Sequence, residues 1–241
     1  MKNWHLLKLK LFLIVSLPIL GAQASVITTS CFSTTSCTMA ELFAGGSITI
    51  NDKVFDDFAL DVTAPFSIIP DFNNVIVTGL DDGGLSPGPG LSVDGGGEFV
   101  ATGGNEVAFE YSFNVNVTDP LLRISDTSVS VASGAFDVMT EGRWEVEQRI
   151  AAGGSGLGTN FTFADGFFAS QTLSDSLLFA PQTSIDVINA VFVGDFLGGE
   201  TISLDGYTQR FSQTIVPLPA AVWLFVSGLI GMISIGVKRH Q

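Results

Sequence analysis

Glu145 and Glu147 stand two residues apart in a stretch that alternates polar with apolar residues. A strand there carries both carboxylates on one face about 7 Å apart, a separation compatible with paired-carboxylate cleavage of sugars. Arg143 and Arg149 share that face, so the expectation is an ordinary ladder of alternating charge on solvated strand. Asp126-Thr127-Ser128 has the residue types of an aspartic-protease loop. That chemistry needs two carboxylates sharing one proton, and no second copy of the loop occurs, which leaves an Asp capping its own turn at a strand start. Gly154-Ser155-Gly156-Leu157-Gly158 fits neither the Gly-x-Ser-x-Gly elbow nor the dinucleotide fingerprint in spacing or context, and the whole run 153–158 is expected to be an exposed loop.

Hard oxygen ligands in flexible glycine-rich loops suit a six-to-eight-coordinate cation. Asp81-Asp82-Gly83-Gly84 and Asp94-Gly95-Gly96-Gly97-Glu98 have that character, as does Asp52 with Asp56-Asp57. Asp81, Asp82, Asp94 and Glu98 are therefore the candidate Ca2+ ligands. None of these stretches matches an EF-hand or the nonapeptide calcium repeat, and the preferred reading is acidic surface turns with no cofactor. Cys31 and Cys37 close a short loop and are expected to form a disulfide that pins the N-terminal segment, because the Cys-x-x-Cys spacing or further ligands of a redox or metal site are missing. The two histidines, His5 and His240, lie in the terminal segments. A histidine-free body excludes Ser-His and Cys-His nucleophilic catalysis and removes the commonest transition-metal ligand.

The elements that must position these groups are strands. Val107 to Val117 alternates six apolar residues with five others at period two, and Arg143 to Ile150 repeats the device around Trp144, Val146 and Ile150. Tyr207 to Ile215 sets Tyr207, Phe211 and Ile215 against Thr208, Arg210, Ser212 and Thr214. Shorter runs at 47–50, 54–62, 75–78, 127–131, 160–163 and 201–204 have the same character, and only 120–125 and 184–191 could hold a helical turn. Half-polar strands joined by Gly and Asp turns predict an all-β domain, an antiparallel β-sandwich or jelly-roll-like fold. The glycine-proline run 83–90 is expected to be an exposed loop.

Both ends of the chain read as addresses. Lys2, Lys8 and Lys10 precede an apolar stretch from Leu11 to Leu20, and Ala22 and Ala24 occupy the two positions that signal peptidase reads, so cleavage after Ala24 is expected, with an uncleaved start helix as the alternative. At the other end, residues 220–237 contain no charge, and at about 1.5 Å per residue a helix of that length nearly spans a bilayer core. Pro217 and Pro219 sit at its entry, and Lys238 with Arg239 supplies a positive cytoplasmic flank. The expected organisation is a signal peptide at 1–24, an extracytoplasmic β domain at 25–215 and a tail at 216–241. All 24 acidic residues lie between Glu41 and Asp205, against five basic residues in the body (Lys53, Arg123, Arg143, Arg149, Arg210), hence a net charge of −19 for the body. Such a body repels phosphate backbones and excludes nucleic acid as a partner.

The tail Val216-Pro217-Leu218-Pro219-Ala220, followed by the apolar helix and Lys238-Arg239, resembles the PEP-CTERM sorting signal of bacterial exported proteins, in a variant where Leu replaces the Glu of Pro-Glu-Pro. The body resembles, more loosely, a group of exosortase-sorted proteins with no established activity, through Gly45-Gly46-Ser47-Ile48-Thr49 before Phe55-Asp56-Asp57-Phe58, Val117-Thr118-Asp119-Pro120 before Ile124-Ser125-Asp126, and Gln209-Arg210-Phe211-Ser212-Gln213. The resemblance implies a Gram-negative cell, signal peptidase and an exosortase as partners, transient anchoring in the inner membrane, and delivery to the surface or matrix. The expected function is an exported, non-enzymatic surface or extracellular-matrix protein that meets exopolysaccharide. The alternatives are a carbohydrate-binding module using aromatics such as Trp144 and Tyr207, and behind it a secreted glycoside hydrolase.

Overall fold

The alternation of β-branched and aromatic residues with polar ones recurs often enough to build two sheets, which bury their apolar faces against each other. The computed structural model describes residues 25–63, 67–81, 84–131, 142–166, 168–195, 201–216 and 224. In chain order the elements are β1 (Val26–Thr29), β2 (Ser36–Thr38), α1 (Met39–Phe43), β3 (Ser47–Ile50), β4 (Lys53–Thr63), β5 (Ile76–Leu80), β6 (Gly90–Asp94), β7 (Val100–Thr102) and β8 (Glu106–Val117). They continue with β9 (Leu122–Val131), β10 (Gly142–Ala152), β11 (Ser155–Asp165), β12 (Ser170–Thr172), β13 (Ser174–Gln182), β14 (Ser184–Asp195), β15 (Thr201–Ser203) and β16 (Gly206–Ile215). An eight-stranded sheet runs β1-β3-β4-β8-β14-β10-β11-β12 and a six-stranded sheet β13-β9-β16-β6-β5-β2, with β15-β7 as a small separate ladder. The pairings between these strands are antiparallel, as the half-polar strands predict.

The interior is aromatic. Phe55, Phe113, Phe211 and Trp144 are fully buried, Phe58 stacks on Phe113 at 5.0 Å between centroids, and Tyr111 lies between Phe109 and Phe113 on β8. Each such ring contributes about 2–3 kcal/mol by leaving water. Cys31 and Cys37 form the expected disulfide, with Cys37 in the core and its loop beside Gly46. Reducing it releases a seven-residue loop and is expected to lower stability by about 2 kcal/mol, read as a fall in the urea midpoint between oxidised and reduced protein.

Several sequence expectations are corrected. Residues 184–191 form the first part of β14, in which Ile185, Val187, Val191 and Val193 point inward at period two. Residues 120–125 give a turn that runs into β9 by Leu122. Gly154 to Gly158 is largely strand β11; the turn itself is Gly153-Gly154, whose positive φ of 56° and 80° suits a tight two-residue hairpin. Within the run 83–90, Gly88, Pro89 and Gly90 are buried, and a Cβ on Gly90 would stand 1.9 Å from the Gln209 carbonyl oxygen, so that segment is packed strand entry. In β16 the register shifts between Ser212 and Gln213, which turns Gln213 inward and leaves Ile215 exposed, against its expected place beside Phe211. Helix α1 carries a capping box that the strand pattern concealed: Thr38 Oγ1 accepts from the Glu41 amide at 3.1 Å, and the Thr38 amide donates to Glu41 Oε2 at 2.9 Å.

The expected signal peptide, with Ala22 and Ala24, lies outside the described residues. So do Pro217, Leu218, Pro219, Ala220, Lys238 and Arg239, and the helix expected over 220–237 apart from Leu224. Val216 closes the domain, its amide donating to the Leu121 carbonyl at 2.8 Å. Among the described residues no helix is long and apolar enough to cross a membrane.

Candidate functional site

Strand β10 sends Trp144, Val146, Gln148 and Ile150 inward and Arg143, Glu145, Glu147 and Arg149 outward. Its neighbours fix what stands beside each outward residue. Phe163, Glu145, Phe192 and Ala108 lie in one row across β11, β10, β14 and β8, and Phe161, Glu147, Ala190 and Glu110 lie in the next. Same-face residues along a strand repeat every 6–7 Å or so and strands lie about 4.8 Å apart, so rings and carboxylates interleave on this surface at close range. The Phe161 and Phe163 rings are 5.4 Å apart and tilted by 31°. Phe161 is 36% exposed, which makes it the most open aromatic of this face.

Both arginines of the face are already paired. Arg143 Nη2 is 2.6 Å from Glu145 Oε2, and the same guanidinium lies over the Phe192 ring at 5.4 Å from its centroid. Arg149 bridges Glu110 and Glu147, the latter at 3.9 Å. Burial between the Phe163 and Phe192 positions raises the Glu145 carboxyl above its ordinary value; Arg143 opposes the shift and neighbouring Glu147 adds to it. Both Glu145 and Glu147 are thus held by guanidiniums, the charge ladder expected from sequence, with an aromatic flank that the sequence reading missed. The signal was available in the run 160–163, where Phe161 and Phe163 alternate with Asn160 and Thr162. Asn160 and Thr162 take the buried side and the rings take the outer one.

Trp144 and Tyr207, the aromatics expected to meet a glycan, are both in the core, at 0% and 2% exposure. They face the opposite sheet because their strands bury that parity, so neither can stack on an external ligand. Asp126-Thr127-Ser128 lies inside β9 and not at a strand start; Thr127 is buried and its hydroxyl accepts from Asn160 Nδ2 at 2.8 Å.

The candidate calcium ligands are dispersed. Asp94 and Asp81 flank opposite ends of the hairpin made by β5 and β6. Asp94 Oδ1 accepts from the Gly96 amide at 2.9 Å in its own turn, and Asp81 Oδ1 accepts from Asn51 Nδ2 at 3.0 Å. Glu98 accepts from the Asp71 amide and from Asn74 Nδ2, stapling two loops. Asp56 and Asp57 accept from Asn116 and Asn114. Asp82 lies outside the described residues. No group of three potential ligand side chains converges among the described residues. Asp81, Asp94 and Glu98 hold turns and loops, and Asp56 and Asp57 tie β4 to β8.

Two further features escaped sequence reasoning. Lys53 is fully buried at the start of β4, and its Nζ has no hydrogen-bond partner among the described residues. Burial lowers its pKa to about 8 against the opposing attraction of Asp52, Asp81 and Asp126. Beside Asp52 opens a cleft of about 720 Å³ that Asn51, Thr118, Leu122 and Gln213 also line. The second feature is a polar row within the core. Asn160, Gln148, Asn189 and Tyr111 are register neighbours across β11, β10, β14 and β8. Gln209 enters from the other sheet, accepting from Gln148 Nε2 at 2.8 Å and donating to the Tyr111 hydroxyl at 3.0 Å. Tyr111 and Tyr207 share a hydroxyl contact of 2.7 Å, and burial pushes both phenols upward.

No family model matches the chain, and no curated protein matches it. Among solved structures, TmCBM61 in complex with β-1,4-galactotriose is similar over 66% of this chain and 89% of that chain, at 10% identity and a TM-score of 0.27.

Proposed function

We propose that this chain is an exported, non-enzymatic cell-surface or extracellular-matrix protein, handled by signal peptidase at Ala24 and by an exosortase-type enzyme at the tail 216–241. The observation that carries this reading is the pairing, in the sequence, of a basic start, an apolar stretch and Ala22-Gln23-Ala24 with a proline motif, an uncharged run and Lys238-Arg239 at the far end. A body without histidine, bearing a charge of −19 and a disulfide, fits an oxidising compartment and a soluble life outside the cell. Fusing residues 216–241 to an exported reporter in a host that makes an exosortase is expected to give an inner-membrane intermediate and then surface or released reporter. A reporter that stays soluble in the periplasm overturns the reading.

The second reading is a carbohydrate-binding domain, supported by the outer face of the eight-stranded sheet with its rings and carboxylates side by side. The pairing of Glu145 and Glu147 with arginines favours holding a sugar over cleaving one, since one carboxyl must keep a proton to deliver as general acid and a guanidinium at each favours the ionised form of both. Reducing ends released from polysaccharide by the protein, and abolished in Glu145→Gln, would establish the hydrolase instead.

A further inference from the structure

We infer that the outer face formed by Phe161, Phe163, Phe192, Glu145 and Glu147 binds a glycan chain that carries no acidic groups. The inference rests on the carbohydrate-binding reading of the domain and adds the class of sugar and the residues that hold it.

A pyranose has an apolar C–H face and a rim of hydroxyls, so its site needs flat apolar surface with acceptors at the edge. Phe161 and Phe163, 5.4 Å apart and tilted by 31°, supply neighbouring plates along β11. Glu147 and Glu145 stand directly across from them on β10, so each ring has a carboxylate at strand-neighbour distance. Hydrogen bonds from hydroxyls to carboxylates are charge-assisted and stronger than neutral ones. Phe192 completes the row behind Glu145, with the Arg143 guanidinium over its ring and the ring tip beside Gly194, where a Cβ would stand 2.5 Å away, so it walls the site while Phe161 and Phe163 supply the plates.

Charge decides the class. Glu106, Glu110, Glu145, Glu147 and Asp165 occupy this face in register against two cations, Arg143 and Arg149. Both guanidiniums already offset carboxylates of the face, and the five acidic groups against two cations leave a net negative field toward a uronate or a sulfate. An acidic chain would meet unneutralised carboxylates within a strongly acidic body, whereas hydroxyls and protonated amino groups meet acceptors.

The test is affinity electrophoresis and calorimetry of the full chain in polyoxyethylene detergent, which has no sugar headgroup. The probes are β-glucan, xylan and chitosan oligosaccharides on one side and alginate and polygalacturonate oligosaccharides on the other. Retention by members of the first set, none by the second, and binding about tenfold weaker in the double variant Phe161→Ala with Phe163→Ala is the expected result. An unchanged melting temperature in that variant, and binding kept in Phe161→Tyr with Phe163→Tyr, separates lost stacking from lost folding. Preference for the acidic probes overturns the inference and leaves the carbohydrate reading standing. Wild-type affinity in the double alanine variant removes the site from this face. Retention by none of the probes overturns the carbohydrate reading itself.

Discussion

Gln209→Ala is expected to lower folding stability by about 3 kcal/mol, with the urea midpoint shifted and the slope unchanged. Gln209 joins the two sheets through the fully buried polar row, accepting from Gln148 Nε2 at 2.8 Å and donating to Tyr111 Oη at 3.0 Å. Truncation leaves the Gln148 amide without its acceptor and opens a void where the amide was. A stranded buried donor costs about 1–3 kcal/mol and the cavity adds to it. Tyr111 keeps Tyr207 as a hydroxyl partner, and Gln148 Oε1 keeps Asn160, so the loss stays below that of a wholly dismantled network. Gln148→Leu combined with Gln209→Leu removes donor and acceptor together. The double variant is expected to be more stable than the sum of the two single losses by at least about 1 kcal/mol. Additivity within about 0.5 kcal/mol would show that the two amides do not depend on each other.

The same residues mark where sequence reading stops. Period-two alternation placed β3, β8 and β10 nearly to the residue, because each buries one continuous apolar parity. It fails where a polar side chain takes an inward position, since Gln148, Asn160, Asn189 and Gln209 look solvent-facing until the partner from another strand is known. Asn160 makes the failure consequential: once it bonds Gln148 and Thr127 in the core, parity forces Phe161 and Phe163 outward, the reverse of what their hydrophobicity suggests. Bulges are a second source of error. One extra residue in β4 between Asp56 and Ala59 and a register shift in β16 at Ser212 change which parity is buried, and nothing in the alternation announces where a strand slips. Glycine composition is the third. The Gly153-Gly154 turn and the buried Gly88-Pro89-Gly90 segment have similar composition and opposite fates, decided by whether another backbone approaches within Cβ distance. The alternation at 160–163 tells that Phe161 and Phe163 share one face but not which face that is, whereas the charge ladder on β10 could be read from the chain.

Lys53→Met is expected to stabilise the protein by about 3 kcal/mol at pH 7. The Lys53 amine is fully buried without a hydrogen-bond partner among the described residues, and its pKa falls from 10.5 to about 8 because burial outweighs Asp52, Asp81 and Asp126. The sign follows from proton counting. Below about pH 8 the amine is protonated in both folded and unfolded chains, and the folded state carries the full cost of a buried cation. Between pH 8 and 10.5 the unfolded chain holds the proton more tightly, so wild-type stability rises with pH relative to the methionine variant. Above about pH 10.5 both states are neutral at this position and the advantage of methionine shrinks to a packing difference. Tyr111 and Tyr207 act in the opposite direction, since phenols raised by burial favour folding below their unfolded pKa near 10 and lose that contribution as pH climbs further. Taking the wild-type minus variant difference at each pH cancels the tyrosines and isolates the lysine. Urea unfolding at pH 7, 9 and 10.5 is expected to show the gap closing steadily. A variant less stable than wild type at pH 7 would mean that attraction from the three aspartates exceeds the cost of burial, and that Lys53 is a structural cation instead of a destabilising one.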